Sequence, residues 1–243
     1  MPSALVVGSM IPDLPYYLPV PVSSALTHSF IGIVGVDLAL GLIVFALWVT
    51  VIAPVLVAFS PAPVRDRLAP GLPVSAAHHA RTPMAIVVVL ASLTVGAFTH
   101  IAWDAFTHPD RWGTRHIEWL STTHGPLHGY SWLQYASGLV GAAVIVAAGA
   151  RWWATTPVTP DAQRIPPRSR RAALRAIAIV AACACAGAVA GLVNGLGGED
   201  FRRTGFLALT WGLGAGAVAI LAIALVYLPG LRREARGPSD AHW

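Results

Sequence analysis

Met84-Ala-Ile-Val-Val-Val-Leu-Ala-Ser-Leu-Thr-Val-Gly-Ala-Phe-Thr-His-Ile-Ala-Trp-Asp-Ala-Phe-Thr-His108 decides how this chain is to be read. From Met84 to Phe98 every residue is apolar, small or a hydroxyl. Extended to Trp103, the run approaches the roughly 20 residues that a helix needs to cross a bilayer. His100, Asp104 and His108 follow at i, i+4 and i+8. On a continuing helix they share one side, drifting by roughly 40° per step. Ionisable groups at the end of a membrane helix are costly unless paired or ligated. Two imidazoles and a carboxylate on one stripe are donors of the kind that hold a divalent metal.

The composition sets that helix in a membrane protein. Of 243 residues, 56% are hydrophobic and 11% are charged, against about 25% charged in an ordinary soluble domain. The expected class is therefore all-α, a polytopic transmembrane bundle of about five spans forming one integral domain over residues 1–243. Residues 1–29 are apolar but broken by Pro2, Pro12, Pro15, Pro19 and Pro21. They predict one short helix, Ala4 to Met10, and then an extended run. Neither a basic leader nor an A-x-A-like site precedes the first span, so no cleaved signal peptide is expected. Spans are predicted near 30–59, 84–104, 132–154, 172–196 and 206–228, the last ended by Pro229-Gly230, with a tail over 229–243.

The fourth span carries Gly187, Gly191 and Gly195, and the fifth Gly212, Gly214 and Gly216. Small residues at such spacing let helix backbones approach closely, so these two spans read as a packed pair, within one chain or between copies in a homo-oligomer. Cys183 and Cys185 point about 200° apart on a helix, which excludes both a disulfide and a metal pair.

Arginine sets the orientation. All sixteen basic residues are Arg, and alternate sides of the bundle hold twelve against four. The rich side comprises loop one (Arg65, Arg67, Arg81), the approaches to span four, and the tail. By the positive-inside rule the N-terminus is outside and the C-terminus inside. The loop placement of these charges speaks for headgroups rather than nucleic acid. Asp13, His28, His100, Asp104, His108, His116, His124 and His128 then all fall on the outer face. His78, His79 and His242 fall on the other.

Four pieces can contribute to a site there. Gly8-Ser-Met-Ile-Pro-Asp13 presents a carboxylate in a turn. Thr27-His28-Ser29 stands just before the first span. Span two supplies His100 and Asp104, with His108 beyond. Loop two, Pro109 to Tyr130, holds Trp112, His116, Trp119, His124, His128 and Tyr130. Pro126 keeps His124 and His128 from being a simple helical pair. His128, leading into span three, is the stronger of the two, and Gln134 can bond a substrate. Asp37 lies about two turns into span one, needs a partner, and is a weaker candidate. A carboxylate with several His suits zinc, or a manganese or iron pair, better than oxygen-seeking magnesium or calcium. There is no G-x-S-x-G and no phosphate-cradling G-x-x-x-x-G-K-[ST].

Gly8 to Tyr16, Thr27-His-Ser29, Gly96 to His108, Leu127-His-Gly129 and Leu133-Gln-Tyr135 together resemble the bacterial membrane-protein family catalogued as domain of unknown function 4184. The resemblance covers residues 1 to about 228. The Pro-Asp, Thr-His-Ser and His-x-x-x-Asp elements are similar to those of predicted inner-membrane metal-dependent hydrolases. More distantly they are similar to the ligand pattern of zinc-dependent phospholipase C and P1-type nucleases. What this implies is metal ligation by Asp13, His28, His100 and Asp104, with His108 and His128 as further ligands; Asp13 and His128 are the candidates for the chemistry itself. Family members usually open with a Pro-Phe-Thr-x-x-His-type segment. This sequence begins after it, so either the natural chain extends upstream or one ligand is missing.

The expectation is a multi-pass cell-membrane protein, in contact with the lipid bilayer, that uses a zinc-type ion to hydrolyse a phosphoester or lipid-linked substrate at the outer face. The alternatives are a transporter or proton relay using Asp37, His100 and Asp104, or a purely structural membrane protein. Haem ligation ranks last, because His100 is the one His well placed within a span.

Overall fold

The computed structural model describes residues 1–68, 82–159, 166–196 and 201–236. His78, His79, Arg81, Arg164 and His242 lie outside the described residues. Among the described residues, five helices are long and apolar enough to cross a membrane: span one (Val36–Phe59), span two (Pro83–Thr107), span three (Gly129–Thr155), span four (Arg170–Gly195) and span five (Phe201–Arg236). Span five runs through Pro229 to Arg236 rather than stopping at Pro229-Gly230.

The predicted short helix is present at the N-terminus, but the run after it is not extended until Leu18. A helix over Pro2–Met10 continues into a 3-10 turn, Ile11–Asp13, and a short helix, Leu14–Tyr17. Pro2, Pro12 and Pro15 each fall in the opening residues of one of these elements. There the missing N–H would have no intrahelical partner anyway, so the prolines start helices instead of breaking them. Extended backbone begins at Leu18.

This segment lies along span two. A Cβ on Gly8 would run into the Leu93 carbonyl, and one on Gly96 into the Leu5 carbonyl and, at 2.7 Å, the Ser9 nitrogen. Hydrogen at both positions is what lets the two backbones touch. Ala4, Val7 and Ile11 complete that contact with Leu93, Val89 and, from span one, Phe45 and Val49.

Span one is preceded by a separate helix, Phe30–Val34, which breaks at Gly35 (φ −104°, ψ −98°). Asp37 therefore sits in the first turn of the long helix, Val36–Leu47. Further in, the chain widens to a π-helix over Trp48–Ile52 just ahead of Pro54. Proline cannot return a hydrogen bond to the residue four before it, Thr50. The Thr50 carbonyl instead accepts from Arg232 of span five at 3.3 Å.

Spans four and five pack within one chain. Gly187 meets the Trp211 carbonyl, Gly191 the Leu207 carbonyl and Gly195 Thr204, all closer than a Cβ allows. Gly214 presses a flank of span five against the Tyr17 carbonyl, which braces the N-terminal segment. Span three stands apart. Trp103 donates to Ser137 at 3.3 Å near one end; near the other, the Arg67 Nε donates to the Thr156 carbonyl at 3.1 Å and its guanidinium lies 4.2 Å over the Trp153 ring. None of its most apolar stretch is buried by protein, and Leu139, Val144 and Ile145 face outward.

Candidate metal centre

Three separate pieces of chain meet where the start of span one lies beside the end of span two. Asp13 closes the 3-10 turn after the N-terminal helix. His28 ends a one-turn helix, Ser24–Thr27, whose start is capped by the Ser23 hydroxyl accepting from the Leu26 N–H. Thr27 joins these two pieces. It is wholly buried, and its hydroxyl contacts the Pro12 carbonyl at 2.7 Å and the Ser24 carbonyl at 3.1 Å. The His28 Nδ1–H donates to the Ser24 carbonyl at 2.9 Å, which turns Nε2 toward span two. There His100 and Asp104, one helical turn apart, supply the third piece.

Asp13, His28, His100 and Asp104 each offer one donor atom, and the four atoms lie within 4.8 Å of one another. His28 Nε2 is 3.3 Å from Asp13 Oδ1 and 3.4 Å from Asp104 Oδ2. His100 Nε2 is 3.5 Å from Asp13 Oδ1 and 3.4 Å from Asp104 Oδ2. A direct charge-assisted N–H···O bond runs about 2.7–2.9 Å, and every one of these distances is longer. Neighbouring donors around a tetrahedral ion with bonds of about 2.0–2.1 Å stand about 3.3–3.4 Å apart. His100 Nε2 is buried and has no hydrogen-bond partner among the described residues. The donor set, two imidazole nitrogens and two carboxylate oxygens, is one that zinc accepts. The donor chemistry and the four N···O separations are compatible with a divalent ion, while the four atoms as a set spread up to 4.8 Å apart.

Without an ion the same groups charge one another, and a metal would have to displace the proton from His28. The Asp104 and Asp13 carboxylates beside His28 outweigh its burial and push its imidazole up to about 9. Burial drives the Asp13 carboxyl upward, but His100 and His28 beside it win and hold it at about 2. Asp13 is the most open of the four, with a third of its side chain exposed, against 4% for His28. The approach is therefore over Asp13, beside Tyr16, whose ring packs edge-on against Phe206 of span five at 5.6 Å.

The remaining candidates lie outside this group of four. His108 Nδ1 is 3.3 Å from the other oxygen of Asp104, so it holds that carboxylate from behind. His128 contacts the Thr123 hydroxyl at 3.2 Å and stacks on Tyr130. His124 bonds the Trp119 carbonyl at 2.9 Å and stacks on that ring, and His116 does the same with Trp112 at 2.8 Å. His124 and His128 belong to a two-residue hairpin turned by Gly125, at φ 67°. Gln134 is exposed on span three.

Asp37 is the residue that its sequence position undersold. It is 1% exposed, and neither carboxylate oxygen has a hydrogen-bond partner among the described residues. One turn further in, Gly41 faces Leu93 and Ile11. Leu93 lies two turns before His100, and Ile11 two residues before Asp13. Asp37 therefore stands on the side of span one that forms the inner wall of the cluster. Thr27 and Ser24 were also missed as supports; the Thr-His-Ser motif contains the first, but nothing in it shows that Pro12 would be its acceptor.

The molecule is thus a helical membrane protein with a His/Asp cluster at one end of its bundle. The chain belongs to the DUF4184 family: the family model, described as a domain of unknown function, matches residues 1–228. No curated protein and no solved structure matches it.

Proposed function

We propose that this chain is a metal-dependent hydrolase of phosphoester or lipid-linked substrates, working at the outer face of the membrane. The observation that carries the reading is the set of four N···O separations of 3.3–3.5 Å around one point, with His100 Nε2 buried and unbonded. Asp13, His28, His100 and Asp104 would hold a zinc-type ion. Such an ion supplies Lewis-acid polarisation of water and of a phosphoryl or acyl oxygen. The chain's own residues do the rest. Ser24 fixes the His28 ring, His108 fixes Asp104, and the exposed edge of Asp13 leaves room for a substrate group. The position of the cluster at the end of membrane helices favours a substrate that reaches it from the bilayer surface. The unequal division of arginine supports the outer face.

The test is metal analysis of the full chain purified in detergent, followed by phosphomonoester and phospholipid hydrolysis assays. One equivalent of zinc or manganese is expected, absent in His100→Ala and Asp104→Ala, with hydrolysis lost in the same variants. Protein that takes up no ion on titration with zinc refutes the metal centre. Protein that binds the ion but hydrolyses neither substrate class refutes the enzymatic reading alone. A proton-relay role is the second reading, and the unbonded Asp37 carboxylate favours it. Metal-free protein that carries proton flux in vesicles would establish it.

A further inference from the structure

At the end of the bundle opposite the His/Asp cluster, spans one, four and five leave a crevice of about 480 Å³ between them. Small side chains open it. Ala173, Ala176 and Ala181 of span four face Ala224 of span five, with Ile52 and Phe59 of span one as a wall. Its volume is that of a ligand pocket. Ser60 lines it too, but its hydroxyl is already committed to the Leu56 carbonyl at 2.8 Å. The interior therefore suits hydrocarbon.

The mouth has the opposite character. The Arg168 N–H donates to the Ala58 carbonyl at 2.8 Å, which pins Arg168 beside the Phe59-Ser60-Pro61 edge of the crevice. Its guanidinium lies 6.0 Å from the Tyr227 ring, and Tyr227 packs edge-on against Phe59 at 4.9 Å. One N–H side of that guanidinium is paired with Glu234 at 2.9 Å, while its Nε is buried without a partner. Arg170, exposed at the start of span four, lies one turn from Ala173 and on the same helix face as Ile177 and Ala181, which line the crevice. Arg171 follows it. An apolar slot capped by cationic groups at a helix N-terminus matches one molecule: a lipid with its chain in the slot and a negative phosphate at the rim.

We propose that this crevice seats one anionic phospholipid, held by an acyl chain among spans one, four and five and by its headgroup at Arg168 and Arg170. The seat is independent of the metal centre and of any hydrolysis there.

Native mass spectrometry of the full chain, released from nanodiscs of mixed phosphatidylglycerol and phosphatidylcholine, tests it. One phosphatidylglycerol per chain is expected to survive detergent removal. Ala176→Phe, which fills the slot, should abolish retention. Arg170→Gln should weaken it about fivefold, since each basic residue at an anionic headgroup contributes on that scale. If Ala176→Phe does not fold, as judged by its thermal transition, Ala176→Leu at the same half-buried position narrows the slot more gently and should reduce retention. Equal retention of phosphatidylcholine, no retained lipid, or a lipid-free dimer sealed across spans one, four and five would each overturn the proposal.

Discussion

Gly96→Ala is a substitution whose effect can be worked from the backbone contacts. The added methyl would stand 2.7 Å from the Ser9 nitrogen and closer still to the Leu5 carbonyl. Both neighbours are backbone atoms of the N-terminal helix, so no flexible side chain can yield. Moving the Ser9 nitrogen out to ordinary contact at about 3.4 Å takes a shift of roughly 0.7 Å. Asp13 rides on that helix and lies 3.5 Å from His100 Nε2, so the same shift pulls one donor out of a shell that tolerates about 0.5 Å. The expected cost is about 1–3 kcal/mol of stability from overpacking and about 10- to 100-fold in zinc affinity, the scale on which disturbed ligand support acts. Isothermal titration with zinc and a thermal melt in detergent read the two effects separately. Gly138→Ala in span three is the control: a Cβ there meets nothing within 4 Å, so zinc affinity should be unchanged and stability should rise by about 0.5–1 kcal/mol from helix propensity alone. A folded Gly96→Ala protein with wild-type zinc affinity would refute the link between helix contact and cluster geometry.

His108→Ala removes the group behind Asp104 and should weaken zinc binding about 10- to 100-fold while leaving one site per chain at saturation, measured by competition with a fluorescent chelator. Asp37→Asn replaces a buried carboxylate that no hydrogen bond supports, so the thermal midpoint should rise by a few degrees, and a fall would reveal a partner for Asp37. The metal-free protein should lose stability at both ends of the pH scale. His28 is pushed up from 6.5 to about 9, so its contribution is complete below about pH 6.5 and disappears as pH rises through 9. That contribution is on the order of 3 kcal/mol at 1.36 per pKa unit. Asp13 is held down at about 2, so its contribution is present above about pH 4 and disappears as pH falls through 2. Chemical unfolding across that range would show a plateau between, and a midpoint that keeps rising above pH 9 would contradict the pairing.

The spans were legible because apolar length is a local property, and His100 and Asp104 because helical spacing is one too. Asp13 and His28 were legible only as candidates. Their convergence depends on Thr27 reaching Pro12 and on Gly8 and Gly96 bringing two backbones together, and neither contact has a periodicity. The proline run misled for a related reason. Proline disfavours a helix interior but suits its first turn, and counting prolines does not say where turns begin. Arg232 against the Thr50 carbonyl was equally hidden: Pro54 announces a freed acceptor but not which distant residue will satisfy it.

The order of the chain has a consequence for biogenesis. Asp13 and His28 leave the ribosome long before His100 and Asp104 exist, and the whole first span is made in between. The leading residues must stay at the translocon without their docking surface until span two has emerged, and only then can the cluster close. A nascent chain stalled just after Ser60 would therefore expose Ile11 and Ala4 to chaperones or protease, and one stalled beyond Trp132 would shield them.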